Sequence, residues 1–406
     1  MKVADTSRAV ILLGGGASTL GAARSLGQAG IPVFASGSPG CRAMKSRYCT
    51  RAMPVPAGLK AKQHWKNVLL ASPDPALAGS VIMVGCDESL EFVEENHEAL
   101  SRSYIVEDFV PELRRAMLDK RATLEMAREA GVPTPSFWPI RKDGDVESIR
   151  DELRFPVMVK PLNSYPFMED FGRKLFIVEE SFDEVVEKVE LCRARGHEVM
   201  VVEMIPGPDD LLSSYYTYRT PRGERLYDYT KSIIRRWPVN RGGACFHQSE
   251  WLPETAEMGR RMFDGIGWQG IGNVEFKRDL RDGQLKIIEV NGRLTAGHSL
   301  VTRGGAPIDV IIYCHLTGQE GPAFERYSQN LRLWDPMRDF LAYRQLSKKG
   351  ELNLLNWLGS IFAQKTILPF FSFDDPKPGL CEFWGIVAKV FGNPSRVLQK
   401  AGRDAD

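Results

Sequence analysis

Apolar and polar positions divide the chain before any motif is considered. The run "RAVILL" is apolar and ends in three glycines, and the following "GGGASTLGAARSLGQAGIPVFAS" carries a glycine turn, a helical apolar period and a second short apolar run. That order predicts a β-α-β opening. "VIMVGCDESLEFVEENHEAL" predicts a further strand and helix. The first segment therefore reads as an α/β domain with a mainly parallel sheet, ending between Leu100 and Pro111.

Beyond it, "LRRAMLDKRATLEMAREAGVPTP" has a helical period and is predicted as one helix stopped by Gly131 and Pro133. "FPVMVKP" predicts a strand with Lys160 at its exit. "KLFIV", "SFDEVVEKVELCRAR" and "EVMVVEMI" repeat a strand, helix, strand order within a span short enough for a small lobe. "VEFKRD" and "LKIIEVNGR" flank the turn-like "LRDGQ" and predict an antiparallel hairpin joined through Asp282 and Gly283. In its second strand, alternation sends Ile288 and Val290 to one face and Glu289, Asn291 and Arg293 to the other. The tail after Gly318 holds two apolar stretches with aromatics, "LNLLNWLGSIF" and "LCEFWGIVAKVF". Terminal helices packed on the body are the first reading of the tail, and a membrane-surface or partner-binding face is the second.

Composition narrows the class. A length of 406 residues admits about two to three domains. Hydrophobic content of 43% and charged content of 26% are those of an ordinary globular protein. Lys plus Arg (53) against Asp plus Glu (52) leaves a formal net charge of +1, so no global field favours nucleic acid and any basic site must be local. The seven cysteines (Cys41, Cys49, Cys86, Cys192, Cys245, Cys314 and Cys381) lack paired metal-ligand spacing, and their odd number argues against a disulfide framework, so a reducing cytoplasm is expected. The N-terminal apolar run is too short for a secretory leader, and no stretch approaches the roughly 20 apolar residues of a membrane span.

The hairpin raises a chemical question, because it brings Glu275 beside Glu289 with Asn291 on the same face. Two adjacent acids repel and raise each other's pKa; a divalent cation removes that conflict, and oxygen donors suit Mg²⁺. Histidine is scarce, with six in the chain and none at zinc-site spacing with cysteine, which disfavours a soft-metal site. Lys120 and Lys160 offer positive charge for phosphates, although a strand-end lysine is commonly just solvated. "YTKSIIRRWPVNRGGACFHQSEW" concentrates Lys231, Arg235, Arg236 and Arg241 in a neutral chain. A solvated strand and loop is the plain reading there, and bidentate recognition of a carboxylate or phosphate the functional one. His247 and Trp251 read first as packing and second as pocket walls.

Taken in order, "LDKRATLEMAREAGVPTP", "FPVMVKP", "VVEMIPGPDD", "NVEFKRD" and "KIIEVNGR" resemble the successive signatures of the ATP-grasp superfamily. More narrowly, the chain is similar to its carboxylate-amine ligases, the D-aspartate ligase-like branch. The resemblance spans about residues 10–318 and is densest over 118–295. It implies an α/β chain in four parts: an N-terminal parallel-sheet, substrate-side domain (1–110), a linker helix with a small β-α-β lid (111–225), a larger α+β metal-binding and catalytic lobe (226–318), and a helical tail (319–406). It implies ATP between the lobes, with Lys120 and Lys160 on phosphate, Glu203, Met204 and Ile205 along adenine, and Asp209 or Asp210 on the ribose. Mg²⁺ would rest on Glu275, Glu289 and Asn291. Arg293 would face the transferring phosphate or the acceptor carboxylate, with Lys231 and Arg236 beside it. The implied activity is ATP-dependent joining of a small-molecule carboxylate to an amine through an acyl phosphate.

Two departures qualify the resemblance, the loop after Lys160 and the missing Walker A loop, and the N-terminal glycines need a reading of their own. "LLGGGASTLGAA" suggests a dinucleotide fingerprint, but Thr19 stands at the third glycine, which disfavours a nicotinamide enzyme. Gly15 to Ser18 and Asp87, at a predicted strand's carboxyl end, remain candidate ligand contacts. After Lys160, "PLNSYPFMEDFGRK" has a single glycine where many ATP-grasp enzymes have a glycine-rich loop; Ser164, Arg173 and Lys174 are its candidates for reaching phosphate. No Walker A loop is present. Two other readings stay open: another ATP-grasp acceptor chemistry (phosphorylation, thioester formation or carboxylation) and a non-catalytic ATP-binding scaffold.

Overall fold

The computed structural model describes residues 3–142, 144–162, 164–173, 175–324 and 327–392. Strands β1 (Val10–Leu13), β2 (Val33–Gly37), β3 (Cys49–Pro54) and β4 (Val81–Val84) form a parallel sheet in the order β3-β2-β1-β4. Every residue of β1 and β4 is buried, as continuous apolar runs require when helices cover both faces. The helix Ala17–Gln28 starts straight after the glycine turn. Gly14 and Gly15 adopt φ of +67° and +75°, and a Cβ at Gly14 would lie 2.3 Å from Cys86 Sγ, so this turn needs glycine. Thr19 Oγ1 donates to Gly14 O at 3.0 Å, tying the helix back to the turn.

The helix expected across residues 111–131 is two, Pro111–Leu118 and Lys120–Glu129. Asp119 divides them because its carboxylate accepts from Arg121 N and Ala122 N, capping the second helix. Next, β5 (Phe137–Ile140), β6 (Val157–Pro161), β7 (Phe176–Val178) and β8 (Val199–Glu203) form an antiparallel sheet in the order β5-β8-β6-β7. Val157, Val159, Val199 and Val201 bury one face with Val185 and Val189 of the helix Phe182–Arg193. Alternation puts Met158, Lys160, Met200 and Val202 on the other. Met158, Met200 and Val202 share a core with Leu124, Phe276 and Val290, so Lys160 lies on the face turned to the later hairpin.

The third sheet has seven strands: β9 (Leu212–Arg219), β10 (Arg225–Trp237), β11 (Gly243–Ser249), β12 (Gly270–Arg278), β13 (Leu285–Asn291), β14 (Arg332–Trp334) and β15 (Thr366–Ile367). Their order is β13-β12-β9-β10-β11-β14-β15. The sheet thus begins before residue 226 and continues past 318, and the segment expected to be a helical tail supplies two of its strands. The helix Pro253–Gly265 covers one face, where Tyr215, Phe263, Val274 and Phe276 pack. On the other face Tyr216, Tyr218, Tyr229 and Ile271 meet the helix Ile308–Leu316 and the N-terminal sheet.

The predicted hairpin is present as β12 and β13, with Glu275 opposite Glu289 and Asn273 opposite Asn291. The expected partition of β13 needs one correction. Phe276 pairs with Ile287, so Ile288 is the extra residue of a β-bulge, and Ile287 rather than Ile288 joins Val290 in the core. Alternation holds from Glu289 onward and is displaced by one before it.

In the tail, the helices Pro336–Lys348, Leu354–Phe362 and Lys377–Gly392 pack only in part. Arg235 of β10 pairs with buried Asp339 through Nε and Nη2 at 2.6 and 3.1 Å. Arg24 of the first helix pairs with buried Asp375 at 3.0 Å and also donates to Phe370 O at 2.7 Å.

Candidate active site

Four strands set one polar row across the large sheet. Glu289 of β13 lies opposite Glu275 of β12, Glu275 opposite Ser214 of β9, and Ser214 opposite Lys231 of β10. Register partners project to the same face, so these side chains stand side by side at strand spacings of about 4.8 Å. Asn291 and Asn273 form the adjacent row, and Asn291 Nδ2 donates to Asn273 Oδ1 at 3.4 Å, leaving Asn291 Oδ1 for another partner. Ser214 Oγ is buried in the row without a hydrogen-bond partner.

This donor set fits a hard divalent cation. Register forces two carboxylates together, and the neighbouring amide and hydroxyl add oxygen donors. Among the described residues no group of three or more His, Cys, Asp or Glu side chains could hold a metal, so the mixed carboxylate and amide set is the candidate.

The residues expected to meet the nucleotide gather around the small sheet. Lys120 opens its helix and donates to Pro161 O at 3.3 Å, which brings it to the strand exit beside Lys160. Glu203 ends β8, but its carboxylate is committed to Arg281 at 2.6 Å and to Ser136 N at 3.3 Å. Met204 N donates to Pro156 O at 3.1 Å. The carbonyls of Ile205 and Gly207 accept from Lys277 Nζ at 3.0 and 2.7 Å.

Lys277 was not among the expected site residues, although its place two residues after Glu275, on the same face, was the available signal. Burial and the nearby Arg236 guanidinium push its ammonium down to about 8. Asp209 and Arg236, expected to serve ribose and acceptor separately, form one ion pair at 2.5 Å, and Asp209 also accepts from Asn240 N at 3.3 Å. Asp210 is the exposed carboxylate of the two. Where a glycine-rich loop was the family pattern, the helix Ser164–Phe171 follows β6; Lys174 falls outside the described residues.

A cavity of about 510 Å³ opens beside the row. Gly15, Ser18 and Asp87 enter it from the N-terminal sheet, Arg293 from the end of the hairpin and His247 from β11. Arg293 Nε donates to Asp87, joining hairpin and N-terminal domain. Lys231 Nζ lies 3.0 Å from His247 Nδ1, which links the polar row to the cavity wall. Burial, with the charges of Lys231 and Arg338, holds the His247 imidazole well below its usual pKa and keeps it neutral. Gly16 begins the helix Ala17–Gln28 without a side-chain cap, so the first turn of that helix presents backbone N–H groups at the cavity.

The remaining wall comes from the tail, through Asp335, Arg338, Pro369, Phe370 and Glu382. The sequence carried no local sign of this, because contacts such as Arg24 to Asp375 join residues 351 positions apart. Arg235, grouped by sequence with the acceptor-side cations, is instead buried against Asp339 and Ser360. A register irregularity between Ile233 and Arg236 turns it away from the row. Trp251 stands near Arg260 and outside this cavity.

No protein-family model matches the chain. D-aspartate ligase of Enterococcus faecium is 23% identical over 235 residues, which cover 55% of this chain and 56% of that protein. D-alanine–D-alanine ligase of Ectopseudomonas mendocina is 26% identical over 186 residues, covering 43% and 55%. The chain spans about half the length of the curated relatives it matches. Among solved structures, N5-carboxyaminoimidazole synthetase from Staphylococcus aureus complexed with ADP gives a TM-score of 0.59 at 16% identity, covering 79% of this chain and 80% of that one. Biotin carboxylase from Campylobacter jejuni gives 0.59 at 18%, covering 80% and 74%. The three sheets and these likenesses agree on the ATP-grasp fold, and in sequence the chain is similar to ligases that join carboxylates to amines.

Proposed function

We propose that the protein is an ATP-dependent carboxylate-amine ligase that works with Mg²⁺ in the cytoplasm on small-molecule substrates. The observation that carries this reading is the register-fixed row of Glu289, Glu275, Ser214 and Lys231, joined through His247 to a cavity that also holds Arg293. The ligase relatives support carbon–nitrogen bond formation.

In this mechanism Lys120 and Lys160 hold the ATP phosphates, while Met204 and Ile205 border the adenine and Asp210 meets the ribose. Mg²⁺ held by Glu275, Glu289 and Asn291 would offset phosphate charge and orient the γ-phosphoryl group. Backbone N–H groups at Gly16 to Ser18 and the Arg293 guanidinium orient the substrate carboxylate in the cavity. One carboxylate oxygen attacks the γ-phosphorus and the bond to ADP breaks, giving an acyl phosphate. Arg293 and Lys231 offset charge on the equatorial oxygens. The amine then attacks the carbonyl carbon, the carbon–oxygen bond to phosphate breaks, and orthophosphate leaves as the amide nitrogen loses its proton. No enzyme nucleophile is required, because positioning and electrostatics suffice.

A second reading, carboxylation, draws on the N5-carboxyaminoimidazole synthetase and biotin carboxylase neighbours. A matrix of candidate acids and amines, scored for ADP release, hydroxylamine-trapped acyl phosphate and product mass, decides between them. The ligase reading expects ADP and an amide product from at least one pair. ADP release that needs bicarbonate and yields no amide would overturn it.

A further inference from the structure

Large apolar side chains are exposed unevenly over the described residues. Fifteen stand exposed, and ten of them fall between Met337 and Trp384. The helix Leu354–Phe362 shows how the exposure is built. Asn353 caps it by accepting from Asn356 N at 2.8 Å, and Trp357 Nε1 donates to buried Asp339 at 2.8 Å. Ser360 Oγ accepts from Arg235 at 2.9 Å, and Ile361 is buried.

These contacts fix the helix's rotation. At 100° per residue Trp357, Ser360 and Ile361 share one arc, and Leu354, Leu355, Leu358 and Phe362 fill the next, about 100° wide. Leu355 is 79% exposed and Phe362 81%. The helix cannot turn them inward without breaking its hydrogen bonds to Arg235 and Asp339.

Basic residues flank this helix along the chain. Between Arg344 and Lys365 there are four basic residues, Arg344, Lys348, Lys349 and Lys365, and a single acid, Glu351, in a chain of net charge +1. All four cations are exposed. Phe373, 96% exposed, with Phe383 and Trp384 adds aromatic side chains in the same C-terminal segment.

We propose that this face docks the protein on an anionic membrane surface. The helix Leu354–Phe362 lies in the plane of the interface, Leu355 and Phe362 enter the boundary between headgroups and acyl chains, and the three lysines meet lipid phosphates. Lysine is depleted from protein–protein interfaces, whereas flexible ammonium groups suit mobile headgroups, so lipid is the better match. Docking, not spanning, fits the length: no helix among the described residues is long and apolar enough to cross a membrane.

The test is co-sedimentation of the full chain with phosphatidylcholine vesicles, with and without phosphatidylglycerol. Wild type is expected to bind the anionic vesicles, more weakly as salt rises. L355S/F362S should lower that binding at least about tenfold with an unchanged circular dichroism spectrum and melting curve. K348E/K349E should remove the preference for anionic lipid. Absence of wild-type binding, or equal binding by L355S/F362S, would overturn the proposal. So would lipid-free dimerisation that L355S/F362S abolishes, seen together with no vesicle binding, since the face would then join two copies.

Discussion

Glu289 is exposed, faces Glu275 across one strand spacing and interacts with the Arg293 guanidinium, so repulsion and attraction largely offset each other in the metal-free protein. Glu289→Gln should therefore leave apo stability unchanged to within about 0.5 kcal/mol. The same change should cut turnover roughly a hundredfold or more, the scale seen when one well-placed electrostatic stabiliser is lost. Thermal melting with and without Mg²⁺ and ATP separates the two effects. A stabilisation by Mg²⁺ and ATP equal to that of wild type would remove Glu289 from the metal site. His247 gives a pH signature of its own. It is held neutral in the fold but protonates near about 6.5 once unfolded, so below that value the unfolded chain binds the extra proton and stability falls as pH drops. Denaturant midpoints compared on either side of about pH 6.5 should fall on the acid side in wild type and fall less in His247→Gln.

At the level of elements, the tail is fastened to β10 by charge. Buried Asp339 accepts from buried Arg235 and from the half-buried Trp334 Nε1 at 2.9 Å and Trp357 Nε1 at 2.8 Å. Arg235→Ala would leave that carboxylate buried without its cation, at a cost of about 3 to 5 kcal/mol in urea or guanidinium unfolding. The unequal legibility of the elements has physical causes. The hairpin could be read because period-two alternation and an Asp-Gly turn are local signals, and the pairing they predict is present as β12 and β13 with alternation intact from Glu289 onward. The bulge at Ile288 could not be read, since an extra residue in a strand leaves the composition unchanged. Strands β14 and β15, of three and two residues, are too short to show a period and exist because β11 offers an edge. Arg235 and Arg236 look alike in sequence; a register irregularity sends one to Asp339 and the other to Asp209. Helix breaking at Asp119 was written in a residue type that favours caps, and was the more readable miss.

Across the whole molecule, the cavity has walls from distant parts of the chain, and Asp375 holds two of them together. Its carboxylate accepts from Arg24 Nε at 3.0 Å, Ser46 Oγ at 2.7 Å and Arg47 N at 2.9 Å. Asp375→Asn should loosen the tail wall while leaving the nucleotide lobe intact. The expected kinetic result is a raised KM for the cavity's substrate with an unchanged KM for ATP, and equal effects on both would show that the wall acts through the fold in general.

The polar row has a consequence for redesign. Its four residues are spaced by backbone hydrogen bonds between strands, and slipping one strand by a residue would turn its polar groups into the core. The row proposed to hold Mg²⁺ is thus a fixed frame on which little can be altered separately. The stretch from Pro369 to Glu382 answers to no such register, touches the cavity and is anchored by side chains, at Asp374 and Asp375 and again through the Arg42–Glu382 ion pair. Replacing that stretch is therefore expected to reshape the cavity wall while the row keeps its spacing.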